Sequence, residues 1–118
     1  MRFKPSHLAL ALFVTIAASA NAHGAVESAT PKNGSTLSAP PSEIRLRFTE
    51  PLEPTFTSVK LLGPTGQEVT TTEKVRVEDG KTVIQPLPTL APGAYKAQWM
   101  SVGHDGHHIH GELTFTVK

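Results

Sequence analysis

Histidine is the residue whose number and spacing point most directly to chemistry in this 118-residue sequence. Six histidines are present, and four of them fall between His104 and His110. Neutral imidazole is a common ligand for divalent transition metals, so a histidine-rich stretch indicates metal binding. The sequence contains no cysteine. Disulfides, thiol catalysis, cysteine-ligated zinc and iron–sulfur clusters are therefore all excluded.

Within this stretch, Asp105 and His107 are the most promising ligand pair. They stand two residues apart, so in an extended segment their side chains point to the same side. Gly106 between them allows the backbone to turn tightly. His104, His108 and His110 would share the opposite side if the whole segment were extended. The alternative interpretation is an exposed loop that holds no ligand or scavenges metal weakly.

The first 22 residues are typical of an export signal. Arg2 and Lys4 give a basic start, an apolar stretch covers residues 8–18, and Ala20-Asn21-Ala22 has the small-x-small pattern that signal peptidase accepts. The apolar stretch is shorter than the roughly 20 residues of a membrane span. An uncleaved anchor or a buried N-terminal helix is the alternative. Cleavage after Ala22 would leave a mature domain, residues 23–118, in the periplasm without membrane insertion.

This cleavage would make His23 the first residue of the mature chain. Its α-amino group, whose ordinary pKa is about 7.7–8.0, and its imidazole Nδ1 can then close a chelate ring on one metal ion. Nitrogen donors in a plane suit tetragonal Cu(II), which also has the highest affinity among divalent first-row metals. A third nitrogen and a carboxylate from the histidine-rich segment would complete a Cu(II) site.

The elements that position these residues are predicted to be short β-strands. Period-two alternation recurs along the chain, for example in Glu43–Phe48, where Ile44, Leu46 and Phe48 share one face. Further strands are expected at Phe56–Leu62, Gln67–Thr72, Thr82–Pro86, Ala94–Val102 and Gly111–Val117, with a short first strand around Val26 and a hairpin turn at Asp79-Gly80. Tyr95 and Trp99 are expected to pack in the core. Some seven or eight strands without helices indicate an all-β fold, either a β-sandwich or a small Greek-key barrel.

The charge balance argues against nucleic acid as a partner. Eleven Lys and Arg against ten Asp and Glu give a net charge of +1. A phosphate-binding surface needs clustered basic residues.

A set of segments runs from the proposed mature terminus to the last strand: His23-Gly-Ala, Ser28-Ala-Thr-Pro31, Glu43–Glu50, Tyr95, Trp99, Asp105-Gly-His107 and Phe115-Thr-Val117. In these residues, and through essentially the whole mature chain, the sequence resembles the CopC family of periplasmic copper-resistance proteins. The resemblance implies an immunoglobulin-like or cupredoxin-like β-sandwich of about seven to nine strands, which carries or buffers Cu(II) in copper homeostasis or resistance and is not an enzyme.

The resemblance also implies the ligands and a partner. His23, Asp105 and His107 would bind Cu(II), and Glu50 would lie near the copper as a weak ligand or a neighbour of the ligands. In this family the usual associate is a CopD-type inner-membrane copper transporter, which could receive the ion. A solvated carboxylate at the end of a strand is the alternative for Glu50.

The sequence departs from the family pattern at several positions. Some members bind Cu(I) through a methionine-rich stretch, whereas Met100 is the only methionine left after processing. We therefore expect one high-affinity Cu(II) site and no second, Cu(I) site. His104, His108 and His110 are extra histidines that could supplement a ligand or form a weaker secondary site.

Two other functions use the same donors. A terminal histidine paired with another histidine resembles the histidine brace of copper polysaccharide monooxygenases, which are redox enzymes. A carboxylate ligand such as Asp105 argues against that chemistry, because it would fill a position that O₂ needs. The other alternative is a zinc or nickel carrier.

Overall fold

The computed structural model describes residues 26–118, which form nine β-strands and one 3₁₀ turn. The strands are β1 Val26–Thr30, β2 Ser35–Leu37, β3 Glu43–Phe48, β4 Ser58–Leu62, β5 Glu68–Val69, β6 Arg76–Glu78, β7 Thr82–Pro86, β8 Gly93–Val102 and β9 His108–Val117, and the 3₁₀ turn is Pro54–Phe56.

Two sheets pack face to face. One has four strands in the order β1-β3-β7-β6, and the other has five in the order β2-β9-β8-β4-β5. All neighbours are antiparallel except β2 and β9, which pair in parallel. The prediction of an all-β Greek-key sandwich is confirmed.

Alternating apolar residues of both sheets form the core between them. Ile44, Leu46 and Phe48 of β3 are at most 1% exposed, while the charged residues between them face solvent. The Phe48 ring meets the Trp99 ring edge to face at 5.2 Å between centroids. Tyr95 is also buried and donates a hydrogen bond to the Ala91 carbonyl oxygen. The expected packing roles of Trp99 and Tyr95 are confirmed.

The predicted hairpin at Asp79-Gly80 is present between β6 and β7. Both residues have positive φ, 53° and 68°, and the Lys81 N–H donates to the Glu78 carbonyl oxygen at 3.1 Å. A glycine at the second position accommodates this left-handed conformation without steric cost.

Some predicted boundaries were wrong. The strand expected from Phe56 begins only at Ser58, because Pro54 starts a 3₁₀ turn that ends at Phe56. The strand expected over Gln67–Thr72 is limited to Glu68–Val69. Within residues 26–118, the structure has no helix long and apolar enough to cross a membrane.

Candidate metal centre

The candidate site lies at one end of the sandwich, where the chain leaves β3 and passes the turn between β8 and β9. Leu52, which is 1% exposed, forms an isolated antiparallel bridge with Gly103, and its N–H donates to the Gly80 carbonyl oxygen at 2.9 Å. The next N–H, that of Glu53, donates to the Val102 carbonyl oxygen at 2.8 Å. The segment that follows β3 is therefore attached to both sheets.

The turn between β8 and β9 is closed by its own backbone. Gly103 donates its N–H to the His107 carbonyl oxygen, and Gly106 donates its N–H to the Gly103 carbonyl oxygen, both at 2.9 Å. Gly106 has φ +83°, a left-handed conformation that favours glycine. The prediction that Gly106 permits a tight turn is confirmed.

Asp105 stabilises this turn through its side chain. Its Oδ1 accepts a hydrogen bond from the His107 backbone N–H at 2.9 Å. This bond fixes one carboxylate oxygen relative to the backbone of His107. Both residues are exposed, so their remaining donor atoms are accessible to an ion.

The Glu50 and Asp105 carboxylates converge beside Gly103. A Cβ atom added to Gly103 would lie 2.9 Å from Asp105 Oδ1 and 3.7 Å from Glu50 Oε1. Both carboxylates lie within 4 Å of one point, so a cation bound there would be attracted by both. Glu50, predicted as a weak ligand or a neighbour of the metal, is thus brought to the turn that carries Asp105 and His107.

The other three histidines are divided between the turn and the strand. His104 lies in the turn, where its backbone N–H donates to the Pro51 carbonyl oxygen at 3.2 Å and its Nε2 lies 3.7 Å from Glu53 Oε1. His108 and His110 lie on β9 and are exposed. The shared side expected for all three does not occur, because the segment turns before β9 begins.

Around this turn, the described residues supply too few ligands to complete a Cu(II) site by themselves. Within residues 26–118, no group of three or more His, Cys, Asp or Glu side chains is arranged to hold an ion. His23, the ligand predicted from the processed terminus, lies outside the described residues. The described donors, carboxylate oxygens and the imidazole of His107, nevertheless suit a borderline cation such as copper.

Sequence reasoning missed the residues that support the site through backbone contacts. Pro51, Leu52 and Gly103 connect the segment after β3 to the turn. Backbone hydrogen bonds depend little on residue type, so the side chains gave little signal. The apolar side chain of Leu52, between Pro51 and Glu53, was the nearest indication in the sequence.

Comparison with known proteins identifies the family. The model of the CopC domain matches residues 26–118, which include every described strand together with Glu50, Asp105 and His107. The chain belongs to the CopC family.

Relatives and solved structures agree with this CopC assignment. Copper resistance protein C of Pseudomonas syringae pv. tomato is 38% identical over 110 residues, which cover 87% of this chain and 86% of that protein. Copper transport protein CutJ of Bacillus subtilis (strain 168) is 26% identical over 81% of this chain but only 18% of its own length. The crystal structure of CopC from Methylosinus trichosporium OB3b superposes with a TM-score of 0.74 and 28% identity, covering 81% of this chain and 94% of that one.

Proposed function

We propose that this CopC-family protein is a periplasmic carrier or buffer of Cu(II), and that its single high-affinity site uses His23, Asp105 and His107. The observation that carries the proposal is the convergence of the Glu50 and Asp105 carboxylates beside Gly103, in the turn that also holds His107. The name of the Pseudomonas relative, copper resistance protein C, supports copper as the cargo.

The start of β1 supports a role for His23. Val26 pairs with Phe48, which stands two residues before Glu50, so the described chain begins at the end of the sheet that carries the site. A chain spans at most about 3.3–3.6 Å per residue. Three residues therefore give His23 a reach of roughly 10 Å from Val26, and this length of chain can extend along the segment that follows β3.

The donor set fits Cu(II) better than other divalent ions. An amine and an imidazole from His23, a second imidazole from His107 and a carboxylate oxygen from Asp105 give three nitrogens and one oxygen. This combination suits tetragonal Cu(II), whereas zinc prefers a tetrahedral arrangement. Glu50 would add negative charge next to the ion without being required as a fifth donor.

The compartment and the partner follow from the same proposal. Cleavage after Ala22 would place the domain, residues 23–118, in the periplasm with His23 at its terminus. A CopD-type membrane transporter would receive the ion. The match of this chain to a small part of a longer protein that is named for copper transport supports such a connection between the domain and transport.

The deciding experiment combines intact mass with copper titration. Periplasmic protein is expected to begin at His23, and competition against a Cu(II) chelator should give one equivalent of tightly bound metal. His23→Ala and retention of one extra residue before His23 should both abolish tight binding, since each removes part of the amine–imidazole chelate. His104→Gln is the matched control and should bind normally. Tight Cu(II) binding by His23→Ala would overturn the proposed ligand set.

The alternatives have separate tests. If Zn(II) or Ni(II) displaced Cu(II) at equal concentration, the copper assignment would fail. Ascorbate-driven oxidation of a polysaccharide above the background of free copper would instead indicate a redox enzyme. The names of the relatives, which describe resistance and transport, support a protein that binds copper without turnover.

A further inference from the structure

The outer face of the five-stranded sheet carries an exposed thioether next to an imidazole. Met100 of β8 is 57% exposed, although the residues on both sides of it, Trp99 and Ser101, are buried. In the antiparallel register of β8 and β9, Met100 stands directly opposite His110, and Val102 stands opposite His108. His110 and His108 are two residues apart on one strand, so they share this face with Met100.

The surface around this pair is open to a small ligand. A shallow depression of about 450 Å³ is lined by Met100 and His110 together with Lys60 and Glu112. A second depression of about 210 Å³ lies towards the site end of the strands, and Phe56, Met100, His108 and His110 line it. Met100 and His110 line both depressions, so a small ion in either one would lie beside them.

We propose that Met100 and His110, with His108 as a third donor, form a surface site for a soft monovalent cation, Cu(I) or its redox-inert analogue Ag(I). Thioether sulfur selects soft ions such as Cu(I), and imidazole nitrogen is an accepted second donor. No residue of the proposed Cu(II) site takes part. The two proposals can therefore fail independently.

The register gives donor spacing that a single ion can bridge. Side chains directly opposite in an antiparallel pair have Cβ atoms about 4.5–5.5 Å apart, and diagonal neighbours lie at about 7–8 Å, within reach of long side chains. Met100 and His110 are such an opposite pair, and His108 is the diagonal neighbour of Met100. The sulfur and the two imidazoles can meet on one ion by rotamer changes, without movement of the strands.

The proposed site is at odds with the expectation, based on the number of methionines, that the mature chain has no Cu(I) site. One methionine in the mature chain argued against a thioether site, because the partner of that sulfur was sought among other methionines. The strand register instead supplies imidazoles as partners. Met100 and His110 are ten residues apart in the sequence, so their pairing becomes apparent only from the register of β8 and β9.

The test is an anaerobic titration of the mature chain with Cu(I) in competition with bicinchoninate. Met100→Leu keeps the volume and apolar character of the side chain, and we expect it to weaken Cu(I) binding at least tenfold. His110→Gln should have a similar effect. Both variants should keep the Cu(II) affinity of the wild type. His104→Gln, which removes an exposed histidine outside this cluster, is the matched control and should leave Cu(I) affinity unchanged.

A second measurement detects metal binding at Met100 in the wild-type protein. Met100 is the only methionine in the mature chain, so selective ¹³C labelling of methionine methyl groups gives a single signal to follow during Ag(I) addition. We expect this signal to shift and saturate at one equivalent. The proposal is refuted if the signal does not move, if Met100→Leu binds Cu(I) like the wild type, or if His104→Gln weakens binding as much as His110→Gln.

Discussion

Asp105 is predicted to have two roles that a pair of substitutions can separate. Its Oδ1 accepts the His107 N–H at 2.9 Å, and its carboxylate converges with that of Glu50 beside Gly103. The first role needs only an acceptor oxygen, which asparagine also provides. The second role needs negative charge. Asp105→Asn therefore removes the charge and keeps the hydrogen bond, whereas Asp105→Ala removes both.

The two variants are expected to differ in the stability of the metal-free protein. A typical hydrogen bond contributes about 0.5–1.5 kcal/mol, and the exposure of Asp105 and His107 places this one at the lower end. Asp105→Ala should then lower the melting temperature by roughly 2–4 °C, since about 0.5 kcal/mol is lost and about 1 kcal/mol corresponds to about 4–8 °C in a domain of this size. Asp105→Asn also relieves repulsion from Glu50, so its stability should equal or slightly exceed that of the wild type.

Copper binding should fall in both variants. Loss of the carboxylate ligand is expected to lower the Cu(II) affinity at least tenfold, which is about 1.4 kcal/mol. A ligand present at 100 times its Kd stabilises the native state by about 2.7 kcal/mol. At a fixed copper concentration, thermal unfolding should therefore show a smaller shift for Asp105→Asn than for the wild type.

Two results would refute this reasoning. If Asp105→Asn destabilised the metal-free protein as much as Asp105→Ala, the carboxylate charge would be stabilising the turn and not repelling Glu50. If Asp105→Asn kept the Cu(II) affinity of the wild type, the carboxylate would not be a ligand. Urea unfolding with and without metal, combined with chelator competition, distinguishes these cases.

Three further predictions concern the support of the site and its proton dependence. Leu52→Ala should lower the free energy of unfolding, measured in urea, by about 2–5 kcal/mol, because Leu52 is buried. A loss below about 1 kcal/mol would show that Leu52 does not anchor the segment after β3. Thr57 Oγ1 donates to the Glu53 carbonyl oxygen at 2.9 Å and lies 2.7 Å from Ser101 Oγ, so Ser101 donates to Thr57. Thr57→Val leaves the buried Ser101 hydroxyl without an acceptor and removes one of two donors to the Glu53 carbonyl oxygen, which keeps the Phe56 N–H. It should therefore lower the free energy of unfolding by about 1 kcal/mol more than Ser101→Ala does, and the reverse order in urea unfolding would contradict the assigned donor. Cu(II) affinity should fall as the pH is lowered from 7.5 to 5.5, since amine and imidazole donors must lose their protons to bind; an affinity that did not change over this range would exclude nitrogen ligands.

Local patterns predicted most of the strands, but apart from the hairpin at Asp79-Gly80 they did not predict which strands pair. The alternation of Glu43–Phe48 reflects burial of one face of β3, because apolar residue types occupy the buried positions and charged types the exposed ones. The strand Ser35–Leu37 was not predicted, because its three residues are too few to show an alternating pattern. It forms by parallel pairing with the distant Phe115–Val117. Contacts of this kind depend on the whole sandwich and not on neighbouring residues.

The candidate site shows the same division. The types of Asp105 and His107 indicated metal binding and Gly106 indicated a tight turn, but the extended segment that would place both side chains on one side does not occur. The turn closed by Gly106 and by the Asp105 side chain is what sets their geometry. The approach of Glu50 to this turn is a tertiary contact through Leu52 and could not be derived from spacing.

The proposed Cu(II) site would connect the two sheets of the sandwich. Glu50 follows β3 of the four-stranded sheet, whereas Asp105 and His107 lie in the turn between two strands of the five-stranded sheet. At this end the backbone link between the sheets includes the bridge of Leu52 to Gly103 and the adjacent hydrogen bond of Glu53 to Val102. An ion held by ligands from both sides would reinforce that link, and release of the ion would leave two like charges facing each other across it. Uptake and release of copper would therefore change the stability of this end of the sandwich more than that of the apolar core, which is already closed by Phe48 and Trp99.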